Sequence, residues 1–297
     1  MRIFVTGASG WIGSATVDDL VGAGHQVVGL VRSEDSARAV TARGAMAHRG
    51  DLDDLDSLRS GAADADAVVH LANKHDFADP VGTNRTEREA VETLAEVAAG
   101  AGTALLVASG AAGLATGRPG VESDPSPAVG PDSMRGGTEN LALSYAERGV
   151  RSVALRFASS THGTGDHGFV AELVRVARER GESSYVGDGE HRWAAVHVAD
   201  AARLVRLAVE GARPGEVVHA VAETGVPTRE IATMIGAGLD LPVSAVDPDD
   251  AVAALGWIGR FFAMDLSADS ALTQERFGWT PTGPSLADDL ASGAYTS

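Results

Sequence analysis

The stretch with the clearest chemical potential is Thr6-Gly7-Ala8-Ser9-Gly10-Trp11-Ile12-Gly13, with three glycines at spacing three and three. Glycine permits a tight turn and lets main chain come close to a bound anion. If the turn opens a helix, the free N–H groups at the helix start and the positive end of its dipole face that anion. The predicted chemistry is the cradling of a diphosphate by Gly7, Ser9, Gly10, Trp11, Ile12 and Gly13. A second cue follows at Gly29-Leu30-Val31-Arg32-Ser33. A dinucleotide site selective for NAD places a carboxylate on the ribose diol about 20 positions after the glycines. Val31 stands there instead, and Arg32 follows it. A guanidinium suits a 2′-phosphate through forked, charge-assisted hydrogen bonds, which predicts NADP(H) as cofactor. Ser33 and Arg38 could assist, while Glu34 and Asp35 read as the start of the next helix.

These residues need strands and helices to place them. Candidate strands are Ile3–Thr6, Gln26–Val31, Ala45–His48, Ala67–Leu71, Ala104–Ala108 and Ser152–Phe157. Each is short and mostly apolar, as strands covered on both faces are. Helical patterns lie between them at Trp11–Ala23, Asp35–Arg43, Asp54–Ser60, near Thr86–Ala99 and at Ser133–Arg148. Strand-helix alternation predicts βαβ units and a parallel sheet that binds ligands beyond the carboxyl ends of its strands. The second half is less regular, with helices expected at 166–180, 198–211, Thr228–Gly238 and Ser267–Phe277, and a turn at Glu223–Pro227. Residues 112–131 hold four prolines and read as a long loop.

Composition narrows the partners. The chain has 297 residues and a formal charge of −17, which weighs against nucleic acid or an anionic membrane. Cysteine is absent, so disulfides, cysteine nucleophiles and Cys-ligated zinc are excluded. No apolar run is long enough to span a bilayer, and Arg2-Ile3-Phe4-Val5-Thr6 is no signal peptide. A cytoplasmic protein acting on a small molecule is expected.

The glycine signature resembles that of the short-chain dehydrogenase/reductases, specifically the extended or atypical branch with the NAD-dependent epimerase/dehydratases. The resemblance continues in Gly50-Asp51-Leu52, Val68-Val69-His70-Leu71-Ala72, Leu155-Arg156 with His162-Gly163, and Trp193-Ala194-Ala195-Val196-His197-Val198-Ala199-Asp200. It implies an α/β, Rossmann-like doubly wound sheet with a small C-terminal substrate lobe. The dinucleotide domain is placed at 1–157, with returns near 190–222, and the lobe at 158–189 and 223–297. The resemblance also implies that Asp51 binds the adenine amino group, Leu52 flanks the ring, and Leu71 and Ala72 line the dinucleotide. Asp51 could equally cap the helix that follows it. In many relatives two long helices pair across a twofold axis, which implies a homodimer.

The family's usual catalytic unit is a Ser with Tyr-x-x-x-Lys, and this chain departs from it. Ser109 falls where the family's Ser sits. The only lysine is Lys74, and the residue four before it is His70, so no Tyr-x-x-x-Lys exists. If Glu139 is the family's acidic residue four beyond the Lys, Arg135 takes the Lys position and Pro131 the Tyr position; a register shifted by a residue or two would bring Ser133 to the site instead. Arg135 could hold the nicotinamide ribose. Another group must then supply the proton, and His75 and His162 are the candidates. Alternatively the substrate is an iminium, which needs no acid, or the chain binds the cofactor without turnover.

Other constellations read more plainly. His70 with His75, His162 with His167 and His191 with His197 make neither His-Glu-x-x-His nor a helical pair, so no metal is expected. Trp257, Phe261, Phe262 and Met264 read as core or as a substrate-pocket wall, and Asp200 as a helix cap. The function expected is NADPH-dependent reduction of a C=O or C=N group on a small organic molecule. Two alternatives stay open: an NAD-dependent nucleotide-sugar epimerase or dehydratase, and a non-catalytic NADP(H) sensor or recruited non-redox cyclase or dehydratase.

Overall fold

A computed structural model describes residues 1–74 and 79–295. From the N-terminus the chain forms β1 (Arg2–Thr6), α1 (Trp11–Gly22), β2 (Gln26–Val31), α2 (Glu34–Ala42), β3 (Met46–Arg49), α3 (Leu55–Ala62), β4 (Ala67–His70), α4 (Pro80–Ala101) and β5 (Ala104–Gly110). After a long connection come α5 (Thr138–Ser144), β6 (Arg151–Phe157), β7 (Ser160–His162), α6 (Phe169–Arg180), β8 (Ser183–Val186), β9 (Arg192–His197), α7 (Val198–Gly211) and β10 (Glu216–Ala220). The chain closes with β11 (Glu223–Pro227), α8 (Thr228–Leu239), β12 (Val243–Val246), α9 (Ala251–Leu255), α10 (Trp257–Phe262), α11 (Ala271–Phe277) and α12 (Leu286–Ala291).

Seven strands form one sheet in the order β10-β6-β5-β4-β1-β2-β3. The pairs from β3 through β5 are parallel. Each of the first five strands is followed by a return crossing, which makes the doubly wound arrangement. Ile3, Phe4, Val5 and Thr6 of β1 and all four residues of β4 are fully buried, because helices cover both faces. Strand order reverses between β1 and β4, and a sheet of this kind opens its ligand crevice at that point.

The chain divides into two compact units. The first comprises 1–109, 125–156 and 202–218; the second comprises 110–124, 157–201 and 219–297. Residues 190–201, expected from sequence with the dinucleotide domain, therefore group with the second unit. The first unit's core centres on Phe4, Leu58, Val68, Val91, Leu94 and Leu105. The second gathers Trp193, Ile231, Ile258, Phe262, Leu286 and Leu290. Phe169 packs against Trp193, Trp257 and Phe261, with ring centroids 5.2–5.7 Å apart. Phe262 is fully buried, Trp257 and Phe261 are half-buried against the second unit's core, and Met264 is exposed.

Three expectations are corrected. Glu223–Pro227 is a strand, antiparallel to β9 with a register shift between Glu223 and Val226, because a partner strand satisfies its main chain. The helix expected over Ser133–Arg148 is broken: Arg135, Gly136 and Gly137 have φ of 55°, 62° and 62°, so the α-helix begins only at Thr138. Asp200 stands inside the first turn of α7, which starts at Val198, rather than at the N-cap position; its carboxylate accepts the Thr282 and Gly283 N–H groups. β7, β8, β9, β10 and β12 are not among the strands expected from sequence.

Candidate functional site

The glycine turn joins β1 to α1. Gly7 takes a left-handed φ of 68°, and the Gly10 N–H donates to the Gly7 carbonyl at 2.9 Å. A Cβ at Gly7 would lie 2.8 Å from the Ala72 nitrogen, and one at Gly13 would lie 1.9 Å from the Gly7 oxygen. The glycines are therefore required for the main chain to close on itself and on the segment after β4. Helix α1 starts at Trp11 behind Gly10, which offers no side-chain cap. A turn of this form, with exposed Ser9 at its tip, fits a diphosphate held by main-chain N–H groups.

At the end of β2, Val31 is buried and faces inward, so the position expected to carry an acidic residue in an NAD site carries none. The Arg32 side chain is 76% exposed, and its Nε lies 3.9 Å from Asp51 Oδ2. The nearby carboxylates are occupied: Glu34 pairs with Arg49 and Asp35 with Arg38. Ser33 caps α2, its hydroxyl accepting the Ser36 N–H at 3.1 Å. Asp51 does not cap α3, because Asp54 does; its Oδ1 accepts the Asp53 N–H instead. Leu52 is buried in the core beside it, and Leu71 and Ala72 are half-buried after β4. Lys74 reaches Asp53 at 2.7 Å, and this bond first of all holds the Asp53 carboxyl below its usual range.

Behind the turn runs a buried polar chain that connects β1, β4 and α4. The Ala72 N–H donates to Thr6 Oγ1 at 3.2 Å, and that hydroxyl lies 2.9 Å from His70 Nδ1. His70 Nε2 is 3.7 Å from Glu87 Oε1. With Thr6 donating to Nδ1, Nε2 carries the imidazole hydrogen toward the carboxylate. Asn73 Nδ2 donates to Glu87 Oε2 at 2.9 Å, and Arg135 Nη2 donates to Oε1 at 2.6 Å. Burial alone would raise the Glu87 carboxyl, but the Arg135 charge and His70 outweigh it and hold it at about 2. This network is the buried polar feature not read from sequence. Its signal is a charged residue, Glu87, on the apolar stripe that α4 buries through Ala90, Val91 and Leu94.

The remaining predicted residues fall in separate places. Ser109 is half-buried at the end of β5, in the first unit. Pro131 is exposed, and the Ser133 hydroxyl is used on the Gly130 carbonyl at 2.7 Å. His75 lies outside the described residues. His162, in the second unit, is fully enclosed. Its Nδ1 donates to Asp289 Oδ2 at 2.6 Å, and its Nε2 is 3.9 Å from Glu223 Oε1. His197 packs edge-on against it at 5.7 Å between centroids, and burial lowers the His197 pKa. Close by, Tyr295 donates to Asp166 Oδ2 at 2.7 Å and is raised by burial and that carboxylate.

Comparison with known proteins agrees with this architecture. The model for the NAD dependent epimerase/dehydratase family matches residues 3–222. An uncharacterised Schizosaccharomyces pombe protein, C2A9.02, is 44% identical over 296 residues, spanning 99% of this chain and 100% of its own. A 4-hydroxy-2-methyl-3-oxo-4-farnesyl-3,4-dihydroquinoline-1-oxide ketoreductase of Stigmatella aurantiaca is 30% identical, over 79% of this chain and 72% of its own. Among solved structures, the dTDP-glucose 4,6-dehydratase DesIV of Streptomyces venezuelae, with NAD and TYD bound, superposes with a TM-score of 0.79 at 24% identity. That superposition covers 99% of this chain and 96% of the dehydratase and shares the fold. With its glycine turn at the sheet's switch point and a family match across most of its length, the chain belongs to the NAD dependent epimerase/dehydratase family.

Proposed function

We propose that this protein is an NADPH-dependent reductase of a C=O or C=N group on a small organic molecule. The observation that carries the coenzyme choice is the end of β2. An exposed Arg32 stands beyond a buried Val31, and Glu34 and Asp35 are neutralised by Arg49 and Arg38. A carboxylate there would repel a 2′-phosphate; a guanidinium can hold it with two N–H groups. Gly7, Ser9, Gly10, Trp11, Ile12 and Gly13 hold the diphosphate, Asp51 and Leu52 the adenine, and Leu71 and Ala72 line the dinucleotide. Arg135 holds the nicotinamide ribose. When bound, the coenzyme supplies hydride. The similarity to a ketoreductase supports the reductive direction.

Ser109 is assigned to polarise the substrate heteroatom. Its hydroxyl sits at the carboxyl end of β5, the edge on which such sheets bind ligands. Pro131 cannot transfer a proton, which makes a C=N substrate, already protonated before reduction, chemically the easier one. His162 is fully enclosed and held by Asp289 within the second unit, so no proton-transfer step is assigned to it.

Calorimetry with NADPH and NADH on the purified chain tests the proposal, followed by NADPH consumption against a panel of ketones and cyclic imines. Tighter NADPH binding and turnover of at least one class are expected. Preference for NADH, or copurified tightly bound NAD, would favour a nucleotide-sugar epimerase or dehydratase. Binding of NADPH without turnover on any carbonyl or imine would favour a sensor.

A further inference from the structure

Glu87 is a carboxylate on the buried face of α4, where an unpaired charge is strongly disfavoured. Its main partner, Arg135, comes from a segment that is itself unusual. Arg135 is one of two non-glycine residues with positive φ among the described residues, and Gly136 and Gly137 continue the left-handed run. No side chain fits at Gly136, where a Cβ would lie 2.5 Å from the Asn84 carbonyl oxygen. The next residue of α4, Arg88, donates to the Gly136 carbonyl at 2.7 Å. Consecutive residues of one helix thus grip this turn twice, Glu87 accepting from the Arg135 side chain and the Arg88 guanidinium donating to the Gly136 carbonyl. Held strain of this kind marks a place where geometry, not stability, is being specified.

The arm so held is not enclosed. The Arg135 side chain keeps 27% of its surface exposed, against 1% for Glu87. A guanidinium has five N–H donors, of which Glu87 takes one. The Arg135 Nε has no hydrogen-bond partner among the described residues. Fixing one edge of a flexible arginine removes the rotamer freedom that ligand binding would otherwise have to remove.

We propose that Glu87 is a positioning residue: from inside α4 it presets the Arg135 guanidinium for the ribose hydroxyls on the nicotinamide side of the cofactor. The inference rests on the assignment of Arg135 to that ribose. Thr6, His70 and Asn73 complete the support, tying the carboxylate to the end of β1 and the segment after β4. Asn73 and Arg135 hydrogen-bond Glu87 directly, while His70 Nε2 stands 3.7 Å away, so the segment after β4 and the ribose arm share one carboxylate.

The test compares NADPH with adenosine 2′,5′-bisphosphate, which carries the 2′-phosphate but lacks the nicotinamide riboside. Both are titrated calorimetrically into the full chain and into Glu87→Gln. The variant should bind NADPH about tenfold more weakly, the loss of one charge-held contact, and the bisphosphate within about twofold of the parent. NADPH binding unchanged in Glu87→Gln overturns the proposal. Equal loss for both ligands also overturns it, since Glu87 would then be merely structural. A parent that binds NADPH no more tightly than the bisphosphate overturns the Arg135 assignment itself, and the proposal with it. If Glu87→Gln does not fold, Glu87→Asp, which keeps the charge but draws the carboxylate back from Arg135 by one methylene, is read the same way. The same selective loss is then expected, and unchanged NADPH binding overturns the proposal.

Discussion

Arg135 and Glu87 are 48 residues apart in sequence and 2.6 Å apart in space, with the carboxylate fully buried in the helix and the guanidinium arriving on left-handed backbone. The Glu87 carboxyl is held at about 2 against an ordinary 4.5. A carboxyl depressed on folding contributes stability that is complete above its unfolded value and is lost as pH falls toward its folded value. Unfolding free energy should therefore decline between about pH 4.5 and about pH 2 by an amount on the order of 3 kcal/mol from this group. Urea melts across that range should show the decline, and Glu87→Gln should flatten it. Equal pH slopes in the two proteins would contradict the assignment.

Gly13→Ala should disrupt the phosphate turn. Its Cβ would lie 1.9 Å from the Gly7 carbonyl oxygen, which is main chain and cannot rotate away. A cost of about 1–3 kcal/mol or more is expected from such overpacking, together with loss of measurable NADPH binding. A variant that melts like the parent and binds NADPH normally would show that the turn is not held as described.

Arg32→Ala should separate the coenzymes. A charge-assisted hydrogen bond is worth about 1.5–3 kcal/mol, so NADPH affinity should fall by about 10- to 100-fold. NADH affinity should hardly change. Competition titrations with both nucleotides give the ratio, and parallel losses would remove Arg32 from the 2′-phosphate.

Arg156 on β6 and Glu139 on α5 form a buried pair, Nη2 to Oε1 at 2.6 Å and Nε to the same oxygen at 3.1 Å. Removing one partner leaves the other charged and buried, so Arg156→Leu should cost about 3–5 kcal/mol. Leucine at both positions should recover much of that. Denaturant midpoints of the single and double variants decide; a double variant less stable than the single would refute it.

Asp289→Ala should loosen the second unit. It deletes the acceptor 2.6 Å from His162 Nδ1 and leaves an enclosed imidazole whose Nε2 already has no hydrogen-bond partner among the described residues. A loss of about 1–3 kcal/mol is expected, visible as a lower melting temperature. NADPH turnover should fall no further than the loss of folded protein accounts for.

The elements that announce themselves in sequence are those whose local pattern matches their environment. β1, β2, β4 and β5 are short apolar runs because both faces are covered, and the glycine turn is legible because its spacing is dictated by main-chain contact. Glu223–Pro227 misleads because Gly225 and Pro227 are turn formers, and only its pairing with β9 makes it a strand. The break before α5 is visible in hindsight as Gly136-Gly137, but left-handed Arg135 has no local cause; Glu87 and Arg88 hold it from a distant helix. The partners of His162 lie 61 and 127 positions downstream, at Glu223 and Asp289, and no spacing rule connects them.

The chain passes between its two units five times, after residues 109, 124, 156, 201 and 218. No single cut in the gene therefore yields either unit whole, and a fragment ending anywhere in the middle would carry strands of one unit and a portion of the other. Exchange of contiguous halves between relatives would therefore divide both units.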